Sequence, residues 1–413
     1  MLETLKQRNF ALLWTGGLIS LIGNWILIAA VPFHIYAVTG SALATSAWLM
    51  AYIAPGVILG SVAGVFVDRW DRKRTMVITS FMQAAVILVL LFAQTPETIW
   101  LIYVVAIIES SLAQFFSPAE NALLPSLVSE DHLLAANSLN SMNDNLARLI
   151  GPAIGGTLLG LVGLTSVVLL DAASYILAAT LIFFVNAPQK ATTPTTITAT
   201  NTDGSWKKVW RDWLDGLKLV RHRPILASLF TIVGIAMFGD AIISAILVVF
   251  VQDTMGLSSV EFGWMMTARG IGGLIGGLLA AQLGQKWTAG QLISVGLASS
   301  GLIIFVAIGF PMLTVVLPAM LLVGIPGIIA FVTIQTLLQQ ETEDAYRGRI
   351  FGAFGTTITL LMLLGSGVGG VLTDLLGGTA LMSGAAIIYI IAGLLAAALL
   401  IKQTRKTMTH SIS

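Results

Sequence analysis

The chain has 413 residues, of which 56% are hydrophobic and only 10% charged, and its formal net charge is +1. A soluble globular protein carries roughly 25% charged residues, so this chain cannot cover a water-facing exterior of its own. Cysteine is absent, which excludes disulfides, thiolate metal sites and thiol redox chemistry. The composition predicts a polytopic helical membrane protein.

Motifs of metal-dependent and ATP-driven proteins are also missing. The four histidines are scattered without metal-ligand spacing, and there is no G-x-x-x-x-G-K-[ST] phosphate loop. We therefore expect neither an enzyme nor a metal site, and neither a bound cofactor nor an ATP or nucleic-acid partner.

Apolar runs of the length needed to cross a bilayer, about 20 residues each, recur along the whole chain. In the first half they predict helices over 9–37, 43–67, 75–94, 98–123, 137–163 and 165–187. In the second half they predict helices over 224–252, 259–284, 290–309, 312–338, 346–374 and 378–402. The fold class is therefore all-α, with twelve transmembrane helices.

Lysine and arginine mark one side of the membrane. They fall in the loop 69–74, in 190–223, at Lys286, Arg347 and Arg349, and in the tail 402–406, whereas the alternate loops contain none. The positive-inside rule then predicts that both termini are cytoplasmic, in the inner membrane of a bacterium.

The middle of the chain separates two halves. Residues 190–205 are polar and Thr-rich, as in a flexible linker. Trp206, Trp210, Trp213, Leu217 and Val220 then recur at helical spacing, which predicts an amphipathic helix at the cytoplasmic interface, either a joint between bundles or a partner-binding segment. We predict six-helix bundles at 1–187 and 223–402, a linker at 188–222 and a cytoplasmic tail at 403–413.

The halves also repeat each other. GPAIGGTLLG at 151–160 corresponds to GSGVGGVLTD at 365–374, and a displacement of about 214 residues maps six helices onto six. Paired halves of this kind are typical of secondary transporters, which move around a site at mid-membrane. The expected partners are the bilayer and a small amphipathic substrate, and we expect a monomer.

The loop GVFVDRWDRKR at 64–74 contains acids and spaced glycines, whereas a positive-inside membrane anchor needs only bases. Gly60 and Gly64 leave one helix face without side-chain bulk, so another backbone can approach closely. At the end of that face, Asp68 can accept hydrogen bonds from a neighbouring helix N-terminus. A contact that forms in one conformation and breaks in another would act as a latch.

The fifth predicted helix carries Gly151, Pro152, Gly155 and Gly156. The glycines supply a small face, and Pro152 removes a backbone donor and bends the helix. This motif predicts a packing kink, a gate, or both.

These motifs resemble a known family. Gly64, Asp68, Arg69, Arg72 and Lys73 match the signature of the major facilitator superfamily, G-x-x-x-D-R-x-G-R-[KR], although Asp71 replaces its second glycine. The segment 148–156 is similar to the G-P-x-x-G-G motif of the superfamily's antiporters. With FFSPAENALLP and RNFALLW, the chain resembles the third drug:proton antiporter group, which includes macrolide exporters and the enterobactin exporter. Departures are Asn24, where this group often has an acid, and a missing helix-four arginine motif.

Several ionisable residues are predicted near mid-membrane, where a charge costs roughly 2.5–3.5 kcal/mol even on the gentler insertion scale. Asp144 and Arg148 are four apart on the fifth helix, so we expect a pair and a poor proton carrier, with Asn140 adding polarity. Glu109 and Asp240 have no base one turn away, which makes them the preferred proton-coupling candidates. Candidates for a cavity charge or a substrate contact are Arg148, Arg269, Asn24 and Asn140, and Asp171 is expected to be structural.

The expected function is proton-coupled export of amphipathic small molecules such as drugs, macrolides or siderophores, by alternating access and with the proton gradient as energy source. Three acids against two bases at mid-depth lean toward cationic or neutral cargo. The alternative is a lipid or siderophore flippase or facilitator without proton coupling. A non-transporting receptor or scaffold fits less well, because the chain has neither a large soluble domain nor a long outer loop.

Overall fold

The computed structural model describes residues 2–67, 69–186 and 206–410, and the regular structure in these ranges is helical. A short helix, Leu2–Leu5, precedes six long ones: α1 Arg8–Thr39, α2 Ala42–Val67, α3 Arg72–Ile87, α4 Trp100–Leu123, α5 Leu133–Val162 and α6 Leu164–Phe183. The linker helix, Trp206–Arg221, is followed by α7 Pro224–Val249, α8 Ser259–Gly284, α9 Ala289–Gly309, α10 Leu313–Gln340, α11 Arg347–Leu376 and α12 Gly378–His410.

Short 3₁₀ segments extend or join these helices at Leu88–Phe92, Pro96–Thr98, Leu124–Ser126, Glu130–His132 and Asp344–Tyr346, and a π-helical turn, Phe250–Thr254, ends α7. In the described ranges, eleven helices are long and apolar enough to cross a membrane. Helix α8 has a comparable length of 26 residues, but the charges of Glu261 and Arg269 lower its hydropathy. The all-α class with twelve long helices is confirmed.

Local sequence explains where several helices begin. Ser258 and Glu261 form a capping box at α8: the Ser258 hydroxyl accepts from the Val260 N–H, and the Glu261 carboxylate accepts from the Ser258 N–H at 2.9 Å. Thr288 and Gln291 form the same arrangement at α9. These reciprocal bonds satisfy backbone donors that a helix start leaves without intrahelical partners.

The structure divides into two compact units, which do not follow the midpoint of the chain. Unit 1 comprises residues 1–28, 51–151 and 162–211, and in it α3 packs along α4 and α6. Unit 2 comprises 29–50, 152–161 and 212–413, and in it α9 packs along α12, α8 along α10 and α7 along α11. The predicted bundle boundaries stay a prediction, because the units group segments by contact and assign 29–50 and 152–161 to the second half.

The apolar face of the linker helix packs against other helices of the protein. Trp213, Leu217 and Val220 pack on the core of unit 2, and the Trp213 indole donates to the Thr357 hydroxyl of α11 at 3.1 Å. The side chains of Trp206 and Trp210 lie outside the described residues. For the described part of this helix, the apolar face is therefore buried against α11 rather than turned to lipid.

Candidate functional site

A polar and aromatic surface in unit 1 is formed by α1, α2 and α5. Asn24 and Tyr52 exchange hydrogen bonds at 3.3 and 3.4 Å. Arg148 binds Asp144 at 3.4 Å, which confirms the predicted pair, and its guanidinium lies 4.8 Å from the ring centre of Trp25. Both side chains of the ion pair are 52% exposed. Asn140, also on α5, is partly buried.

Glu109 lies in the interior of unit 1, next to Tyr52 of that surface, with which it interacts electrostatically. Only 2% of the residue is exposed, and its carboxylate accepts a hydrogen bond from the Tyr175 hydroxyl of α6 at 3.2 Å. The Gln83 amide of α3 donates to the same hydroxyl at 3.3 Å. Glu109 therefore has a neutral hydrogen-bond partner from α6, which is itself bonded to α3, and in the part of the chain that the structure describes it forms no salt bridge.

Asp171 joins this interior group. It is fully buried on α6, one turn before Tyr175, and the Ser174 hydroxyl donates to its Oδ1 at 3.2 Å. Its second oxygen, Oδ2, has no hydrogen-bond partner among the described residues. Glu109 is close enough to act on Asp171 electrostatically. The residue spacing along α6 did not predict that Asp171 lies near Glu109.

Asp240 is paired, contrary to the reasoning that made it a preferred proton carrier. It has no base on its own helix, α7, but Arg269 of α8 binds it at 3.1 Å and the Tyr389 hydroxyl of α12 donates to the same oxygen at 2.9 Å. A guanidinium stabilises the ionised form of a carboxylate. Asp240 therefore has the kind of surroundings that were expected for Asp144.

The loop between α2 and α3 is described only in part. Asp68, the residue of the predicted latch, lies outside the described residues, as does the side-chain environment of Gly64 in α2. Asp71 is the N-cap of α3, where its carboxylate accepts from the Arg74 N–H at 2.7 Å. This cap explains why an acid stands where the signature has its second glycine.

The basic residues of this loop have different surroundings. Arg72 donates to the carbonyl of Ala122 in the last turn of α4 at 2.8 Å, where the helix dipole favours a cation. The Lys73 ammonium lies 5.3 Å from the ring centre of Phe183 at the end of α6, whereas Arg69 is exposed. Arg72 and Lys73 thus attach the start of α3 to two neighbouring helices.

The helix-five motif is divided between the two units. Gly151 packs in unit 1 against Trp25, and Pro152, Gly155 and Gly156 are buried. In unit 2, a Cβ on Gly156 would lie 2.1 Å from the Ser259 carbonyl oxygen, and a Cβ on Gly263 would lie 2.4 Å from that of Pro152. These two positions bring the backbones of α5 and α8 together as only glycine allows.

We call this packing the crossing contact: residues 29–50 and 152–161 against 249–263 and 365–370, all in unit 2. The Ser259 hydroxyl donates to the Gly156 carbonyl at 2.8 Å. The Tyr36 hydroxyl donates to the Asp253 carboxylate, and the Gln252 amide donates to the Phe33 carbonyl at 3.1 Å. The contact lies at the helix ends whose loops contain no lysine or arginine.

The crossing contact also contains residues that the sequence analysis did not single out. Tyr36 and Asp253 are separated by 217 residues, and the rings of Phe33 and Phe262 are 5.9 Å apart. The internal repeat was the available signal, since it places Gly370 of α11 at the position of Gly156. Gly370 does pack closely, against Ser46 of α2, where a Cβ would lie 2.7 Å from the hydroxyl.

With this geometry established, known proteins identify the family. The family model described as Major Facilitator Superfamily matches residues 13–362, with a second match over 229–412. The chain belongs to the major facilitator superfamily. Its relatives in that superfamily are transporters, and the chain is not expected to catalyse a chemical reaction.

Relatives within the superfamily cover most of the chain. The uncharacterized MFS-type transporter YfiS of Bacillus subtilis (strain 168) is 28% identical over a match that covers 90% of this chain and 88% of the YfiS chain. Macrolide efflux protein A of Streptococcus pyogenes is 25% identical over 90% of this chain and 91% of its own. The resemblance to macrolide exporters that was read from the motifs is confirmed.

A solved structure agrees on the fold. The crystal structure of a bacterial homologue of the iron transporter ferroportin, in its inward-facing state, matches with a TM-score of 0.74 at 19% identity. The match covers 96% of this chain and 98% of that one. At this identity the likeness supports the major facilitator fold and nothing finer.

Proposed function

We propose that this chain is a secondary active exporter of amphipathic small molecules, working by alternating access in a bacterial inner membrane. It acts as a monomer with both termini in the cytoplasm. The proton gradient supplies the energy, and no cofactor takes part.

The crossing contact carries this proposal. Within unit 2, the segments 29–50 and 152–161 pack on 249–263 and 365–370 through glycine backbones and hydrogen bonds. The loops at these helix ends contain no base, and the positive-inside rule assigns them to the outside. An export route must open there to release substrate outward. A close contact that forms and breaks as a unit is the kind of bistable element on which alternating access depends.

The polar and aromatic surface of unit 1 supports the substrate class. Trp25 and Tyr52 offer ring surface, while Asn24 and the Asp144–Arg148 pair offer hydrogen-bond and charged partners. Binding sites for small molecules combine apolar walls with a few polar groups in this way. An amphipathic compound of the macrolide kind fits that mixture, in line with the macrolide efflux relative.

The expected lean toward cationic cargo loses its support. Two of the three acids on which it rested, Asp144 and Asp240, are paired with the two bases, and Glu109 is almost fully buried. The polar groups of the surface therefore add no net charge, and neutral amphipathic compounds are favoured as much as cationic ones.

The pairing also changes the choice of proton carrier. Asp240 is held by Arg269, whereas Glu109 is buried with neutral partners only. Among the described residues, Glu109 is the one of the three carboxyls without a guanidinium partner, so it can take up and release a proton without breaking an ion pair. We therefore place the coupling proton on Glu109 in preference to Asp240 and Asp144.

Transport in proteoliposomes tests the function. Purified protein is reconstituted, and accumulation of ethidium, erythromycin and a catecholate siderophore is measured with an imposed proton gradient, without one, and with a protonophore. Accumulation of at least one probe against its gradient, abolished by the protonophore, is expected. Transport that ignores the proton gradient would instead favour the facilitator or flippase alternative, and no transport of any probe would refute the assignment as a drug-type exporter.

A further inference from the structure

A second buried acid in unit 1 has no role in the function so far. Asp171 is 0% exposed, and its Oδ2 is left without a hydrogen-bond partner among the described residues. Buried polar atoms in folded proteins are nearly always paired, so an unpaired carboxylate oxygen calls for a specific explanation. An ionised carboxylate in such a place would be strongly destabilising.

Every helix around Asp171 contributes neutral groups. Tyr175 and Ser174 lie on its own helix, and the Tyr175 hydroxyl accepts a hydrogen bond from Gln83 of α3. Tyr52 of α2 is close enough to interact with Asp171 electrostatically, and α1 approaches through Gly23. Among the described residues, the charged group that acts on it is another acid, Glu109 of α4. In the described ranges, neither carboxyl forms a salt bridge.

Two interacting carboxyls without a cation do not both stay ionised in a buried site; they titrate as a pair, and one proton removes the repulsion. The surroundings show where that proton has room. Glu109 already accepts from Tyr175 at 3.2 Å, whereas Asp171 Oδ2 accepts from none of the described residues. In the described ranges, the buried amide oxygen of Gln83, which bonds Tyr175 through its nitrogen, also has no hydrogen-bond donor.

We propose that Asp171 and Glu109 form a two-carboxyl proton site, in which the coupling proton is shared between Glu109 and the unpaired Oδ2 of Asp171. This site adds a second residue to the coupling site of the proposed function. Its role in transport rests on that proposed function. Uptake converts one carboxylate to a carboxylic acid and release reverses it, with no other atom exchanged. Residues from α3, α4 and α6 hold the site, about 10 Å inside the helix end that is free of basic loops, since Asp171 lies seven residues into α6.

Gly23 makes the geometry of the site sensitive to α1. A Cβ on Gly23 would lie 2.3 Å from Asp171 Oδ1 and 2.2 Å from the Ser174 hydroxyl. Helix α1 thus closes over the acid with bare backbone. Its outer part, from residue 29 onward, belongs to the crossing contact of unit 2. Movement of α1 is therefore a direct route by which opening that contact would alter the proton site.

Infrared spectroscopy of the purified, substrate-free protein tests the site without any transport. The carbonyl stretch of protonated carboxyl groups, which shifts in D₂O, is recorded at neutral pH for wild type, Asp171→Asn, Glu109→Gln and the double variant. A protonated-carboxyl band in wild type that is lost in the double variant and lost or reduced in Asp171→Asn is expected. The matched control is Asp344→Asn, whose side chain is 88% exposed and paired with Arg347, and which should leave the band unchanged.

A band that is the same in wild type and in all three site variants would overturn the proposal, as would its absence from wild type. If the asparagine variant does not fold, Tyr175→Phe serves instead, because it keeps the ring and removes only the hydroxyl that Glu109 accepts from. The pH at which the band disappears should then shift, and an unshifted titration would contradict the site. Should ethidium and erythromycin transport fail in wild type while the band behaves as expected, the exporter function fails and the proton site stands.

Discussion

The glycine packing of the crossing contact yields the most direct prediction, Gly156→Ala. The added Cβ would lie 2.1 Å from the Ser259 carbonyl oxygen and 3.1 Å from the Cα of Gly263. Ordinary van der Waals contact needs about 3.5 Å, so the backbones of α5 and α8 would have to separate by roughly 1.4 Å. The atoms that must move are backbone atoms, which cannot rotate away as a side chain would.

Overpacking of a close contact destabilises it by about 1–3 kcal/mol. The strain exists only while the contact is closed, so it acts on the equilibrium between closed and open states rather than on the fold as a whole. A difference of that size corresponds to roughly a 5- to 150-fold shift in population toward the state in which the contact is open. We expect Gly156→Ala to produce such a shift.

Thiol labelling measures the shift, because the natural chain has no cysteine. Ser46→Cys places a single thiol at a fully buried position in the crossing contact. Its rate of reaction with a membrane-impermeant maleimide, added from outside, reports how often the contact opens. The matched control is Gly355→Ala, the same chemical change in helix α11, where an added Cβ meets nothing within 4 Å.

Gly156→Ala should label several-fold to about 150-fold faster than the Gly355→Ala control in the same single-thiol background. Equal rates in the two would refute the reasoning that glycine packing holds the contact closed. Slower labelling in Gly156→Ala would mean that the packing opposes closure, which is the reverse of what the structure implies.

Three further predictions concern single acids. Asp71→Ala should lower the free energy of unfolding by about 1 kcal/mol, since it leaves the Arg74 N–H at the start of α3 uncapped; thermal unfolding in detergent measures this, and an unchanged midpoint would contradict the cap. Asp240→Asn should destabilise by roughly 1–3 kcal/mol through the loss of Arg269's partner while leaving proton coupling intact in the surviving protein, and a loss of coupling at full stability would restore Asp240 as the carrier. Glu109→Gln should stop proton-driven accumulation of a transported probe but allow its downhill exchange, and continued uphill accumulation in the same vesicles would exclude Glu109.

Features that depend on neighbouring residues along the chain were predictable from the sequence. Apolar runs set the number of long helices and most of their ends, because a helix in lipid must satisfy its own backbone and needs a fixed length of apolar residues. The Asp144–Arg148 pair followed from a spacing of four residues, which puts two side chains on one helix face. The family followed from short motifs, whereas the role of Asp71 as a cap did not, because the sequence predicts a helix from residue 75 and α3 begins at Arg72.

Only the tertiary structure decided which helix faces meet. Asp240 and Arg269 are 29 residues apart, and Glu109 and Tyr175 are 66 apart, so no periodicity relates them. Asp240 looked isolated on its own helix and is paired, whereas Asp171 looked structural and lies buried beside a second acid. The rotation of each helix about its axis, and the close approach that glycine permits, are fixed by packing among all the helices together. A sequence pattern describes one helix at a time, and the partner of a charge on another helix is therefore beyond what that pattern contains.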